Sequence, residues 1–245
     1  MNTLMDCIIE IPEKLNHLRD QRDVIATAIN QATHGDTVRK VVVVGSGSSY
    51  NTAFTTKTFA ESTCHIEVEL MYPSIFVEHY NRALCDQHAL YIFISQGGQT
   101  KLVYEAIECA NQLGLKTVSI TESLETPIAK KAQTALEMGS GKEQFIFRTL
   151  GFSTTCTVLY LIYLSLGVIN NQIDPAQSEA IIKDLDVMIQ ELPTFCRSIH
   201  CLFITTISYI FQRQMLISFP DRTPWGPLLQ EADIKFMEML PSLTK

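Results

Sequence analysis

The sequence is poor in the patterns that mark metal, redox and nucleic-acid chemistry. Its seven cysteines are odd in number and scattered, and no C-x-x-C pair occurs among them. A disulfide framework or a thiolate metal site needs paired spacing, so reduced thiols in a cytoplasmic protein are expected. The histidines at 17, 34, 65, 79, 88 and 200 show no H-x-x-x-H or comparable ligand spacing, so no metal is expected. His79, within Glu78-His79-Tyr80-Asn81, fits a polar loop or a helix start. Lys and Arg number 19 against 26 Asp and Glu, for a net charge of −7, and they gather on no recognisable face. No nucleic-acid partner is therefore expected. No apolar run reaches the length of a bilayer span: the longest candidate, 158–169, is short and interrupted by Tyr160, Tyr163 and Ser165. No membrane association is expected, and no basic stretch after Met1 suggests a signal peptide. Cysteine does not follow Met1, so glutamine hydrolysis is not expected. Internal repeats and low-complexity segments are lacking, and no cofactor is expected.

What the chain does have is material for a core. Hydrophobic residues make up 46% and charged residues 18%, enough to fold one generous domain in 245 residues. Ile11, Leu15, Leu18, Ile25 and Ile29 are spaced as one face of helix. Lys40 and the four valines after it form a β-branched run without alternation, which suits a strand covered on both faces. Further strands are expected at 66–70, 90–94, 117–120 and 135–138, with helices at 50–61, 102–113 and 128–131 between them. Gly114 is a natural stop for the second of these helices. The alternation predicts an α/β fold, a three-layer α-β-α sandwich around a mostly parallel five-stranded sheet. A long apolar helix is expected at 153–169, and Asp174-Pro175 should cap a linking helix that runs to about 192. Beyond it, 202–210 reads as a strand, 218–227 as a loop and 230–240 as a helix.

Two loops carry the chemistry. Gly45-Ser46-Gly47-Ser48-Ser49-Tyr50-Asn51 lies between a buried strand and a helix. Glycines let backbone approach an anion, and a helix start offers unpaired N–H groups and a positive dipole end. A dinucleotide loop would want G-x-G-x-x-G, but Tyr50 stands at the third glycine. The acid expected about 20 residues on is matched only by Glu67 or Glu69, inside a strand. A Walker loop would need Gly-Lys-Ser/Thr, which is absent. Taken alone, the segment also fits a plain strand-to-helix turn. The second loop, Ser95-Gln96-Gly97-Gly98-Gln99-Thr100, again follows a buried strand and precedes a helix. On neighbouring parallel strands the two loops would meet at the C-terminal edge of the sheet, where open α/β folds bind ligands. Their neutral hydroxyl and amide groups suit holding a phosphate ester rather than cleaving it.

Gly47-Ser48-Ser49-Tyr50 followed by Ser95-Gln96-Gly97-Gly98-Gln99-Thr100 resembles the sugar isomerase (SIS) family, whose second loop usually reads S-Q-S-G-E-T. The segment from Phe147-Arg148-Thr149 to Ser153-Thr154-Thr155 resembles a third family signature, particularly in the fructosamine-phosphate deglycases. The resemblance covers about residues 35–170. It implies that Ser48, Ser49, Ser95, Gln96, Gly97 and Thr100 hold a phosphate, with Gly47, Ile146 and Thr149 lining the sugar. Gly97 stands where the family commonly has serine, removing one hydroxyl donor, and Gln99 replaces the usual acid.

A third segment, Glu231-Ala232-Asp233-Ile234-Lys235-Phe236-Met237-Glu238, places Lys235 and Glu238 on one helical face. That alone describes an ordinary surface ion pair. After Trp225-Gly226-Pro227 it also resembles the first helix of a second SIS domain. The resemblance implies that Glu238 moves a proton between sugar carbons and that Lys235 assists. The sequence stops seven residues after Glu238, so an SIS domain over 1–172 is expected, followed by a linking helix and a partial second lobe over 173–245. The function implied is binding of a phosphorylated ketose, amino sugar or fructosamine, with isomerase, deaminase or deglycase chemistry. A non-catalytic sugar-phosphate sensor is the alternative. Homodimers are expected from an exposed sheet edge and the two apolar helices.

Overall fold

The computed structural model describes residues 4–79, 83, 85–143 and 148–213, the last stretch from 195 onward as backbone alone. Two helices, α1 (Leu4–Asp20) and α2 (Arg22–Thr33), abut at Gln21 and precede the sheet. The chain then runs β1 (Lys40–Val44), α3 (Ser48–Ser62), β2 (Glu67–Met71), a π-helical turn at Ile75–His79, and β3 (Leu90–Ile94). It continues through α4 (Lys101–Gln112), β4 (Lys116–Thr121), α5 (Pro127–Lys131), β5 (Thr134–Glu137), α6 (Leu150–Ile169) and α7 (Pro175–Arg213). All five strands are parallel, in the order β2-β1-β3-β4-β5.

The valine run explains the layers. Val41 and Val43 face one side, packing with Ile29, Ala53, Val158 and Ile162 from α2, α3 and α6. Val42 and Val44 face the other, with Val103, Ile107, Phe76 and Ile128 from α4, the π-helical turn and α5. A strand buried on both faces has no reason to alternate, which is why β1 and β3 read as continuous apolar runs. Each such side chain contributes about 1.5–3 kcal/mol on burial. The α-β-α sandwich expected from the sequence is the fold observed.

α6 is the central helix of the first layer. Its 20 residues are long and apolar enough to cross a membrane by composition, contrary to the sequence-based expectation, which stopped at residues 158–169. Their surface is spent inside the domain, against α1, α2 and α3. Its buried threonines return their hydroxyls to carbonyls one turn back, Thr154 to Leu150 O and Thr155 to Gly151 O. At its far end Asn170 pairs with both backbone groups of Val38, which fixes the entry to β1. The α1–α2 stripe is core as expected, with Ile11, Leu15, Leu18, Ile25 and Ile29 all buried.

α7 starts as the sequence predicts. Asp174 Oδ1 accepts from Gln177 N at 2.8 Å, and Gln177 Oε1 accepts from Asp174 N at 3.0 Å, a reciprocal cap. The helix does not stop at 192. It runs through Pro193 to Arg213, so 202–210 is helical rather than the strand expected. The β-branched residues there favour strand by propensity, and helix continuity overrides that weak preference. Arg19 of α1 pairs with Asp186 of α7, and Arg22 of α2 with Glu179 at 3.3 Å.

Candidate functional site

β1 and β3 are hydrogen-bonded neighbours, and the chain leaves them toward opposite layers, β1 into α3 and β3 into α4. The gap between their C-terminal ends is the switch point of the sheet, where the two loops meet. In the first loop Gly47 is the N-cap of α3, with a positive φ of 56°. Its carbonyl accepts from Tyr50 N and Asn51 N, each at 3.0 Å. Having no side chain, Gly47 leaves the helix start without a side-chain cap. Ser48 and Ser49 are half-buried. Beside this turn Tyr50 stacks on Tyr72, which follows β2, with ring centroids 4.5 Å apart. Burial, with Tyr72 next to it, pushes the Tyr50 hydroxyl above its ordinary pKa.

The second loop is tighter. Gly98 N donates to Ser95 O at 3.0 Å, and Gly98 O accepts from Ile128 N at 3.3 Å. Gly98 has φ +60°, and a Cβ there would lie 2.3 Å from Thr126 Cβ, so glycine is required. Gly97 differs, because a Cβ there would meet nothing within 4 Å. Ser95 is buried, and its Oγ lies 2.9 Å from Thr100 Oγ1. Thr100 is the N-cap of α4 with extended backbone, yet its side chain does not cap the helix. Threonine ordinarily caps well, and forgoing a cap costs about 1 kcal/mol. Here the hydroxyl is paired with Ser95 instead.

Gln96 turns toward α6. Its Nε2 donates to Glu143 Oε2 at 3.0 Å, and its amide lies so close to Gly151 that a Cβ there would sit 2.2 Å from Gln96 Oε1. Thr149, the N-cap of α6, gives its N–H to Glu143 Oε1 at 2.8 Å. Of the residues singled out in the sequence, Ser48, Ser49, Ser95, Gln96, Gly97, Thr100, Gly47 and Thr149 are thus placed at one edge of the sheet. Ile146, Lys235 and Glu238 lie outside the described residues. Sequence reasoning missed Glu143. Its only signal is an acid six residues before a helix cap, after Gly139-Ser140-Gly141-Lys142.

Two clefts of about 450 Å³ lie elsewhere, and neither is lined by a residue of the two loops. One sits between α2, α6 and α7, and the other at the opposite edge of the sheet near Arg39, Lys40 and His88. The latter is an ion-pair cluster, with Lys40 between Glu67 and Glu69 at 3.1 and 2.8 Å. Volume alone would point there. The uncapped helix starts and convergent hydroxyls point to the loop edge, and that chemistry outweighs the size of an open groove.

Known proteins resemble this chain in sequence and in fold. The chain is 29% identical over 156 residues to the isomerizing glutamine–fructose-6-phosphate aminotransferase of Symbiobacterium thermophilum, covering 64% of this chain and 25% of that one. It is 26% identical over 237 residues to the enzyme of the same name from Tropheryma whipplei, covering 96% of this chain and 35% of that one. The chain therefore spans about a quarter to a third of the length of these relatives. The solved C-terminal domain of glucosamine-fructose-6-phosphate aminotransferase from Francisella tularensis shares the fold, with a TM-score of 0.62 at 17% identity, covering 76% of this chain and 53% of that one. The SIS domain model matches residues 37–168, more than half of the chain, and the protein belongs to the SIS domain family.

Proposed function

We propose that the chain binds the phosphate of a phosphorylated ketose, amino sugar or fructosamine across the ends of β1 and β3. Ser48, Ser49, Ser95, Gln96, Gly97 and Thr100 hold the phosphate, and Gly47, Ile146 and Thr149 line the sugar. The carrying observation is Thr100, a residue fit to cap α4 whose hydroxyl pairs with Ser95 and leaves the helix start to an outside acceptor. The SIS domain match and the names of the relatives favour a sugar phosphate as that acceptor. Isothermal titration tests it: fructose 6-phosphate or glucosamine 6-phosphate should bind and NAD should not. Binding of NAD alone would overturn the assignment in favour of a nucleotide site.

The chemistry proposed is aldose–ketose isomerisation, deamination or deglycation, with Glu238 as the proton-transfer base and Lys235 as its helper. The Tropheryma relative aligns with 96% of this chain, which supports treating 173–245 as a linking helix and part of a second lobe. Glu238→Gln should abolish turnover while leaving sugar-phosphate binding intact. If the wild-type chain binds without turnover, the alternative of a non-catalytic cytoplasmic sugar-phosphate sensor takes its place. A homodimer is also proposed. α6 spends its apolar surface within the domain, so the support left for it is the edge strands β2 and β5 and the exposed Val187 and Met188 of α7.

A further inference from the structure

Glu143 is a carboxylate placed where an anionic ligand would be welcome. It is 7% exposed. Oε1 accepts from Thr149 N at 2.8 Å and Leu150 N at 2.9 Å. Oε2 accepts from Gly151 N at 3.2 Å and Gln96 Nε2 at 3.0 Å. Four donors thus converge on one carboxylate, and three of them are backbone N–H groups at the start of α6. Those groups and the positive end of the helix compensate its charge, as they would for a bound phosphate. The contact to Gln96 places this filled anion position one side chain away from the second loop.

We propose that Glu143 is a specificity-determining residue, a built-in anion that closes the α6 helix start to any outside anion. The phosphate then has the α3 and α4 starts, and the α6 side of the site takes no second anion. The ligand class rests on the sugar-phosphate function proposed above; the filling of α6 by Glu143 does not. A substrate with a second phosphate or carboxylate at its far end meets a fixed negative charge there instead of free N–H groups. Because Glu143 is buried, that repulsion is screened less than between two charges in water. Glu143 therefore selects sugar monophosphates that carry no second anion, whether the sugar is neutral or aminated. By holding the Gln96 amide against Gly151, it also sets the second loop against α6.

The test compares dissociation constants for fructose 6-phosphate and fructose 1,6-bisphosphate in wild type, Glu143→Gln and Glu143→Ala, with circular dichroism to verify folding. Wild type should favour the monophosphate. In Glu143→Ala the ratio should move toward the bisphosphate by about tenfold, the scale of a helix terminus acting on a partly buried anion. Glu143→Gln should move it in the same direction by less. Parallel weakening of both ligands at a constant ratio would mean a purely structural role and overturn the proposal. If Glu143→Ala does not fold, an unchanged ratio in Glu143→Gln overturns it. If wild type binds neither sugar, the sugar-phosphate function fails by itself, and sulfate becomes the probe. Greater thermal stabilisation by sulfate in the variants than in wild type then supports the filling of α6 by Glu143, and an equal response refutes it.

Discussion

Four helices begin at the C-terminal edge of the sheet, and they begin in two ways. α5 is capped by Thr126, whose Oγ1 accepts from Ala129 N at 3.2 Å. α6 is closed by Glu143, through three backbone N–H groups. α3 and α4 have no side-chain cap, although Thr100 could supply one. A fold under selection for stability alone would gain about 1 kcal/mol at each open start. The open pair flanks the switch point between β1 and β3, and the closed pair follows β4 and β5, one and two strands beyond β3. The unfilled capping potential is thus concentrated where a ligand would replace it. This pattern locates the site more sharply than the size of any cleft does.

The largest expected effect breaks the scaffold shared by the two pairs. Gly98 of the open α4 loop rests on Thr126, the cap of α5. Gly98→Ala should cost about 3–4 kcal/mol in urea unfolding, from overpacking together with left-handed backbone. Adding Thr126→Gly should recover the contact part and leave about 1–2 kcal/mol for the backbone. A Gly98→Ala variant as stable as wild type would show that the open loop is not held by the closed helix start.

How far the sequence shows this contrast depends on where each signal sits. The valine run of β1 and the apolar run of β3 end directly in Gly-Ser and Ser-Gln-Gly-Gly turns, so strand, loop and helix are contiguous and the open starts can be read locally. The Thr126 cap is equally local, with Pro127 at the first helical position. Glu143 is not local in this way. It reaches α6 across the intervening chain, and its partner Gln96 is 47 residues away, so no periodicity or capping rule marks it. The strand expected at 202–210 fails for a related reason: a short β-branched window carries no information about the helix it continues. Local chemistry was legible, and the contact that joins the second loop to α6 was not.

A smaller effect separates binding from stability within the open pair. Ser95→Ala removes the partner of Thr100 Oγ1 and one hydroxyl at the switch point. Fructose 6-phosphate affinity should fall about tenfold to a hundredfold, since hydrogen bonds to a charged group are worth about 1.5–3 kcal/mol. Thermal unfolding without ligand should change by about 1 kcal/mol at most, because Thr100 is then free to cap α4. A large stability loss with unchanged affinity would place Ser95 among the structural groups, like Thr126.

The smallest effect is a gain, and it tests the geometry of the open side directly. The SIS-type loop that this segment resembles commonly carries serine at the position of Gly97. The structure has room for it: Gly97 is not among the residues with positive φ, and a Cβ would meet nothing within 4 Å. Gly97→Ser should therefore leave folding stability within about 0.5 kcal/mol, or raise it slightly by restricting the unfolded chain. If the phosphate sits between the starts of α3 and α4, the new hydroxyl adds a donor beside it, and the dissociation constant for fructose 6-phosphate should fall about threefold to tenfold. The same substitution should do nothing for a ligand held at α6, because Glu143 already occupies that start. Unchanged affinity in a stable Gly97→Ser protein would move the phosphate off this loop and remove the distinction between open and closed helix starts as a guide to the site.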